Sequence, residues 1–426
     1  MLSQTNPKNN IFTLLIKLVF PFALIFSIFF SESPLQISIF LLFIMTIVLF
    51  YYRFEILNVW VAFSVPWLMI IFFSLLPLSE YSREINITTL QIIVIIVAIG
   101  LFLLPSSSRS FDHNLQIKYA VSKNVFLCFF LFYLALSILN IVLAGYVPLI
   151  KSFLTGNSGY MEFGVKGLYG FYNAFSNAFG LTAFYLWVTK GDKFYGLVFF
   201  TVLMFFLLFM TRQNIMSILV EAFVIYNFTV RKFSFMKVAA IGVITILCFG
   251  ILGDFRLDID IKNLARIKEE FLWLPSAVVW LYSYSYFNIL NLDNVVALYQ
   301  IPTMDLSSVS SLIPSFLRPS FDGAENILEI SSFTVGSFIL PIYRDLGFFV
   351  FILLFVIFCL ITRNYYNRLH ARNSYEDICS YSVVYFCFLF SFFENFWFYL
   401  PIIFQLVFIK LFRISFLRSV SGVQKN

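Results

Sequence analysis

The chain has 426 residues, of which 61% are hydrophobic and only 12% are charged, and its net charge is +6. Soluble proteins carry about 25% charged residues, and no soluble fold of this size hides so much apolar surface. The composition therefore excludes water-soluble enzymes, nucleic-acid binders and disordered proteins, and it predicts an all-α, polytopic integral membrane protein.

Twelve apolar runs have the length of transmembrane helices. In chain order they cover 11–30, 35–52, 56–78, 87–104, 125–147, 169–189, 194–211, 213–230, 238–253, 347–362, 377–393 and 396–412. The first run is too long for a cleaved signal peptide and lacks a small-residue cleavage site, so we predict that it is an anchor. Residues 1–426 are thus predicted to form a single transmembrane domain of about twelve helices.

Lys and Arg are unevenly distributed between the connecting loops. With a cytoplasmic N-terminus, the inside segments hold 18 of the 28 basic residues but only five of the 22 carboxylates. Because basic residues stay on the cytoplasmic side, we predict that both termini are cytoplasmic. Both histidines, His113 and His370, then lie in cytoplasmic loops, so a base on the outer face would have to be a carboxylate.

Two outer loops stand out in this topology, residues 148–168 and the long loop 254–346. Within the long loop, 264–287 begins with an amphipathic pattern and becomes rich in aromatic residues. This pattern predicts a helix that lies at the membrane interface. A second segment, 310–321, is also predicted to reach the interface.

Glu221 is a carboxylate in the middle of a predicted span, where a charge costs several kcal/mol unless it is paired or hydrated. Gln213, Ser217 and Glu221 recur at helical spacing and share one helix face. That face either lines a wet cavity or joins helices within the bundle. Asn173 and Asn177 in the sixth span allow the same two interpretations, a polar wall of that cavity or hydrogen bonds between helices.

Six arginines are predicted on the outer face: Arg83, Arg212, Arg256, Arg266, Arg318 and Arg344. Guanidinium groups bind phosphate through paired hydrogen bonds. Arg212, Arg256, Arg318 and Arg344 are therefore candidate pyrophosphate ligands, whereas lipid headgroups or ion pairs explain Arg83 and Arg266 more simply. The candidate bases on this face are Glu221, Glu394, Asp345 and Glu162.

A metal site is not expected. Asp258-Ile259-Asp260 has the DxD form that some glycosyltransferases use to hold a metal and a nucleotide sugar. It falls on the outer face, where nucleotide sugars are not supplied, so we assign it no role.

In its layout the chain resembles the Wzy-type O-antigen (oligosaccharide repeat unit) polymerases, with about twelve spans and a long outer loop before the last three. Locally the resemblance rests on GYMEFGVKGLYGF (159–171), MTRQNIMSILVE (210–221), GDFRLD (253–258) and FTVGSFILPIYRDLGFFVF (333–351). The arginines common in the family align with Arg212 and Arg256, and its threonine-to-aspartate-glycine stretch aligns with Thr334, Asp345 and Gly347. The usual ending of that stretch departs here, with Val350 in place of glycine.

The resemblance implies a GT-C-like fold, that is, an all-helical membrane glycosyltransferase that uses lipid-linked donors. Such an enzyme acts at the periplasmic face of a bacterial inner membrane and moves a growing glycan from undecaprenyl pyrophosphate onto the next lipid-linked repeat unit, with no metal or other cofactor. The implied partners are undecaprenyl-pyrophosphate-linked oligosaccharides, membrane lipids and a chain-length regulator protein. Arginines would hold the pyrophosphate, and Glu221 or Glu394 would orient or deprotonate the acceptor.

Two other functions stay open at the level of sequence. An O-antigen ligase would share the architecture and the donor, but ligases usually carry a histidine in the long outer loop, and this loop has none. A lipid-linked oligosaccharide flippase or another transporter generally has short loops and often pseudo-symmetric halves. The long outer loop and the absence of an internal sequence repeat argue against a transporter.

Overall fold

The computed structural model of the chain describes residues 7–30, 33–52, 57–105, 119–156, 158–160, 162–230, 260–314, 317–318, 328–330, 333–334 and 336–419, and single positions at 237, 240, 242 and 250. Two short strands, β1 (Tyr119–Val121) and β2 (Leu417–Ser419), pair antiparallel and tie the start of one helix to the end of the last. All other regular structure in these residues is helical.

Thirteen helices of eight or more residues lie within the described part of the chain. They are α1 (Pro7–Phe30), α2 (Pro34–Tyr51), α3 (Val59–Ser74), α4 (Ile87–Leu103), α5 (Lys123–Ala144), α6 (Pro148–Thr155), α7 (Leu168–Lys190), α8 (Lys193–Leu208), α9 (Arg212–Thr229), α10 (Ser276–Leu298), α11 (Ile339–Arg372), α12 (Tyr375–Leu389) and α13 (Leu400–Phe416).

Several of these helices are long and apolar enough to cross a membrane. By length and composition they are Pro34–Tyr51, Lys123–Thr155 and Ile339–Arg372, and shorter apolar helices cover Lys17–Ile28, Val59–Ser74, Ile87–Leu103 and Lys193–Leu208. Large apolar side chains also face outward, such as Phe22, Val142 and Phe349. A surface of this kind is stable against lipid and unfavourable in water.

Polar side chains mark where several helices begin. Asn58 accepts a hydrogen bond from the backbone N–H of Trp60 (2.9 Å), and Asn86 accepts one from that of Thr88 (2.9 Å). Asp192 caps α8 through the N–H of Phe194 (3.0 Å). Each cap satisfies a backbone donor that has no partner within the helix, and it sets the first residue of the apolar segment.

A helix occupies eleven of the twelve ranges predicted from apolar runs. The ninth range, 238–253, lies mostly outside the described residues. The helix in the tenth predicted range is α11. It begins at Ile339, eight residues before the predicted start, and is broken at Gly347, where φ is 77°. A Cβ at Gly347 would lie 2.6 Å from Cγ of Pro302, so both the backbone angle and the contact favour glycine here.

The helix directions define two ends of the bundle. Ring contacts Phe171–Phe408 (5.4 Å) and Phe179–Phe412 (5.9 Å) show that α7 and α13 are parallel. Asn177 of α7 contacts Asn214 of α9, and Gly180 faces Ile218 about one turn further along both helices, so α9 is parallel to them as well. We call the end that holds the first turns of α7, α9 and α13 the upper end.

Helix α10 lies across the upper end and differs from the helix predicted at 264–287. It begins at Ser276, after Pro275, and the amphipathic stretch before it forms only short turns. The helix packs against protein on most sides, and Asp293 near its end is 1% exposed. Its buried tyrosines and asparagines find partners in the bundle, so α10 is a packed element of the fold and not a surface helix.

Candidate functional site

Three helices begin side by side at the upper end. The amide of Asn214 donates to Asn173 (2.9 Å) and accepts from Asn177 (3.2 Å), which joins the second and third turns of α7 to the first turn of α9. This arrangement is the interhelical bonding that was one of the two predictions for Asn173 and Asn177. The N-terminus of each helix carries a partial positive charge, so three such ends bring positive partial charge to one place. Some first-turn N–H groups already have partners, since that of Leu400 donates to the carbonyl of Ser311 (3.4 Å).

Aromatic rings line the same end. The rings of Tyr169 and Tyr172 stack at 6.0 Å, and Phe209 packs against both. The Tyr172 hydroxyl is fixed from below by Ser137 (3.3 Å) and Tyr133 (3.3 Å). Arg212 begins α9 three residues after Phe209, which brings it close to this aromatic group along the chain, and its side chain is partly buried.

The turn between α12 and α13 contributes the carboxylate Glu394. Its side chain is exposed, yet protein crowds the recess around it, and this loss of hydration raises its pKa above the ordinary glutamate value. The Tyr399 hydroxyl interacts electrostatically with Glu394, with Arg318 from the long loop and with Tyr169 of α7. The structure thus brings Glu394, Arg318 and two tyrosines together.

The arginines predicted on this face differ in whether another side chain of the protein engages their charge. Arg83 pairs with Asp293, and Arg266 lies over the ring of Tyr81 at 5.2 Å. Arg318 is exposed; its guanidinium bonds the carbonyl of Ile313 (3.4 Å), and in the described part of the chain no carboxylate pairs with it. Arg256 and Asp258 lie outside the described residues.

Arg344 and Asp345 form a closed cluster of their own. Arg344 Nε donates to Asp345 (2.8 Å), and its Nη2 donates to the hydroxyl of Ser307. Asp345 is fully buried and also accepts from Ser307 Oγ (3.0 Å) and from the backbone N–H of Ser308. These bonds fasten the long loop to the start of α11, so the geometry gives both residues a structural role and offers no open group for substrate.

Glu221 lies deep in the bundle. It is 0% exposed, and its two oxygens accept from Ser217 (2.6 Å) and from Gln405 of α13 (2.6 Å). Nine residues separate it from Arg212, or about 14 Å along the helix. Glu221 therefore joins α9 to α13 and does not open towards the upper end, whereas Gln213, one residue after Arg212, is half-buried there.

Tyr169, Asn395 and Tyr399 are site residues that the sequence reading does not single out. The chain has 23 tyrosines, most of them beside apolar runs, so one tyrosine in such a chain carries no signal of its own. The sequence does offer one cue, because Glu394 and Asn395 are adjacent polar residues between two aromatic stretches in SFFENFW.

The described residues contain no group of three His, Cys, Asp or Glu side chains that would hold a metal ion. Comparison with known proteins yields no match, since no family model, no curated protein and no solved structure aligns with this chain.

Proposed function

We propose that this chain is an oligosaccharide polymerase of the bacterial inner membrane. It transfers a growing glycan from undecaprenyl pyrophosphate onto the next lipid-linked repeat unit, at the periplasmic face. One observation carries the proposal: three helix N-termini, Arg318 and Glu394 meet at a single end of a bundle whose outer surface is apolar.

The helix directions support a topology in which both termini lie at the lower end, which the excess of Lys and Arg predicts to be cytoplasmic. Helices α3 and α12 both run upward, since Phe63 contacts Phe388 (5.7 Å) and Trp67, one turn later, contacts Ser391 (3.4 Å). Helix α11 runs downward against α3, since Phe63 contacts Phe355 whereas Trp67 contacts Phe338. Helix α9 ends at the lower end, at Thr229, whereas Ala265 lies at the upper end, bonded to Ser79 (2.6 Å). The described residues on the two sides of the predicted ninth span therefore lie at opposite ends of the bundle, which supports that span.

The upper end suits a lipid-linked pyrophosphate. Each helix N-terminus favours an anion by about 0.3–1 kcal/mol, and a guanidinium adds charge-assisted hydrogen bonds to phosphate oxygens. Arg212 begins one of the three helices, and Arg318 enters from the loop above. Cations held in this way stabilise the departing pyrophosphate, which is the role that the sequence reading gives to the arginines.

The transfer itself needs one bond broken and one formed. The bond between the anomeric carbon and the pyrophosphate oxygen of the donor breaks, and its electron pair leaves with undecaprenyl pyrophosphate. The acceptor hydroxyl oxygen forms the new glycosidic bond and gives its proton to Glu394. We assign the base to Glu394 and not to Glu221, because Glu394 is accessible and Glu221 is enclosed with both oxygens bonded.

The test uses purified protein in lipid nanodiscs with the lipid-linked repeat unit of the source strain as both donor and acceptor. Wild-type protein should produce a ladder of lipid-linked oligomers. Arg212→Ala, Arg318→Ala and Glu394→Gln should each slow chain growth by at least about 100-fold, in the range of a lost charge-stabilising or proton-transfer group. Arg266→Ala is the matched control, and it should grow chains at the wild-type rate. Undiminished growth by Glu394→Gln would remove Glu394 as the base, and no growth by wild-type protein would refute the polymerase proposal.

A further inference from the structure

Asn395 is a buried amide without hydrogen-bond partners. Its side chain is 9% exposed, and neither Nδ2 nor Oδ1 has a partner in the described part of the chain. The hydroxyl of Ser308, which is 8% exposed, likewise has no hydrogen-bond partner among the described residues. Buried polar groups in folded proteins are almost always bonded to protein, water or ligand, and an unmade bond destabilises the fold. Asn395 and Ser308 therefore retain hydrogen-bonding groups that a polar ligand entering this part of the upper end could satisfy.

The two unpaired groups flank one contact at the upper end. Ser311, in the loop turn that holds Ser308, donates to the carbonyl of Phe398, and its own carbonyl accepts from the N–H of Leu400 (3.4 Å). Asn395 begins the turn that leads to that contact and follows Glu394 directly. The unpaired amide is thus next in the chain to the proposed base and four residues from Tyr399.

The chemistry of the unpaired atoms selects the ligand. The amide presents both a donor, Nδ2, and an acceptor, Oδ1. A phosphate or pyrophosphate oxygen at neutral pH only accepts and would leave Oδ1 unpaired. A sugar hydroxyl both donates and accepts, and two neighbouring hydroxyls on one ring would satisfy the amide completely.

We propose that Asn395 binds the hydroxyl groups of a neutral sugar ring, and that Glu394, Asn395 and the face of Tyr399 form the subsite for that ring. This inference deepens the proposed polymerase function by assigning the sugar to the α12–α13 turn and the pyrophosphate to the helix N-termini and arginines. Tyr399 and Tyr169 are both partly exposed, and their rings provide an apolar surface for the C–H face of a sugar. The Asn395 amide is uncharged and matches hydroxyl groups, so the subsite suits a neutral sugar.

The experiment is isothermal titration calorimetry of the full-length protein in nanodiscs with two probes. One probe is the water-soluble repeat-unit oligosaccharide released from the polysaccharide of the source strain, and the other is inorganic pyrophosphate. Asn395→Leu should weaken oligosaccharide binding about tenfold, as expected for two lost neutral hydrogen bonds, and should leave pyrophosphate binding unchanged. Arg318→Ala should weaken pyrophosphate binding and leave oligosaccharide binding unchanged. Asn140→Leu is the control, because Asn140 is another buried asparagine with an unpaired Oδ1, and it should change neither affinity.

Thermal unfolding of the ligand-free protein separates binding from a structural role. Asn395→Leu removes two unpaired polar groups, so its Tm should equal or exceed that of the wild type. A lower Tm, or oligosaccharide binding of wild-type strength by Asn395→Leu, would overturn the subsite, as would wild-type protein that binds pyrophosphate but no oligosaccharide. Binding that depends on Asn395 in a protein that fails to polymerise would uphold the subsite and refute the polymerase function.

Discussion

Asp293 is the residue whose loss should most weaken the upper end. Its carboxylate accepts from the backbone N–H of Asn86 (2.9 Å), from Thr89 Oγ1 (2.6 Å) and from Arg83. These bonds fasten α10 to the start of α4. Helix α10 in turn supports the turn that carries Glu394, since Asn288 donates to the carbonyl of Phe392.

The size of the effect follows from the exposure of each partner. Two buried hydrogen bonds to a carboxylate contribute about 1.5 kcal/mol each. Arg83 is 41% exposed, so solvent screens its ion pair, which adds only about 0.5–1 kcal/mol. Asp293→Ala should therefore lower the free energy of unfolding by about 3–4 kcal/mol, and Arg83→Ala by only about 1 kcal/mol.

The assay is thermal unfolding in detergent, followed by intrinsic fluorescence, for both single variants and the double variant. At roughly 1–2 °C per kcal/mol for a chain of this size, Asp293→Ala should lower Tm by about 4–6 °C and Arg83→Ala by about 1–2 °C. The double variant should be only slightly less stable than Asp293→Ala alone, because without Asp293 the Arg83 side chain keeps just an exposed hydrogen bond to Asn294 (2.6 Å). Equal effects of the two single variants would refute the reasoning, since they would place the stabilisation in the ion pair and not in the buried bonds.

Three further predictions concern the interior and the site. Glu221→Gln should keep wild-type activity and Tm, because an amide can still accept a hydrogen bond from one neighbour. Glu221→Leu should lower the free energy of unfolding by about 1–3 kcal/mol, and with it Tm, because it leaves buried donors unpaired. Loss of activity in Glu221→Gln at unchanged Tm would restore Glu221 as a base. The raised pKa of Glu394 means that the folded state loses stability relative to the unfolded state as pH rises through the unfolded-state pKa, and that activity rises as the folded-state pKa is passed. A pH–rate profile should therefore show an acid limb above the ordinary glutamate pKa of about 4.3, and an acid limb at that ordinary value would contradict the burial effect. Gly250→Ala should lower Tm, because its Cβ would lie 2.4 Å from the Cα of Ala277, while Gly242→Ala, which meets nothing within 4 Å, should not; equal Tm values for the two variants would contradict this packing.

The helical framework is largely readable from the sequence, and the exceptions have physical reasons. Apolar runs predict ten of the described helices to within a few residues. The start of α11 is missed because YRDL interrupts its apolar pattern, and these polar groups are satisfied by each other and by Ser307 and Ser308 from a distant loop. The start of α10 is also missed, because Pro275 separates the amphipathic stretch, which forms only short turns, from the helix that begins at Ser276.

Some residues of the candidate site can be named from the sequence, and others become visible only in the structure. Arg212, Arg318 and Glu394 can be named from the sequence, because on the predicted outer face guanidinium groups suit phosphate and a base would have to be a carboxylate. The sequence does not reveal that Arg344 is neutralised by Asp345, since that depends on how the loop folds back. Asn395 and Tyr399 become visible only when burial and unpaired atoms are known.

The most direct test of the central claim is deletion of this gene in its own strain, followed by electrophoresis of the lipopolysaccharide. If the protein is a polymerase with Glu394 as its base, the deletion strain should carry a single repeat unit on the lipopolysaccharide core and no ladder. The wild-type gene should restore the ladder, and the Glu394→Gln variant should not. Loss of every repeat unit with carrier-linked polymer accumulating would identify a ligase instead, and repeat units held on the cytoplasmic side would identify a flippase. An unchanged ladder would contradict the account as a whole.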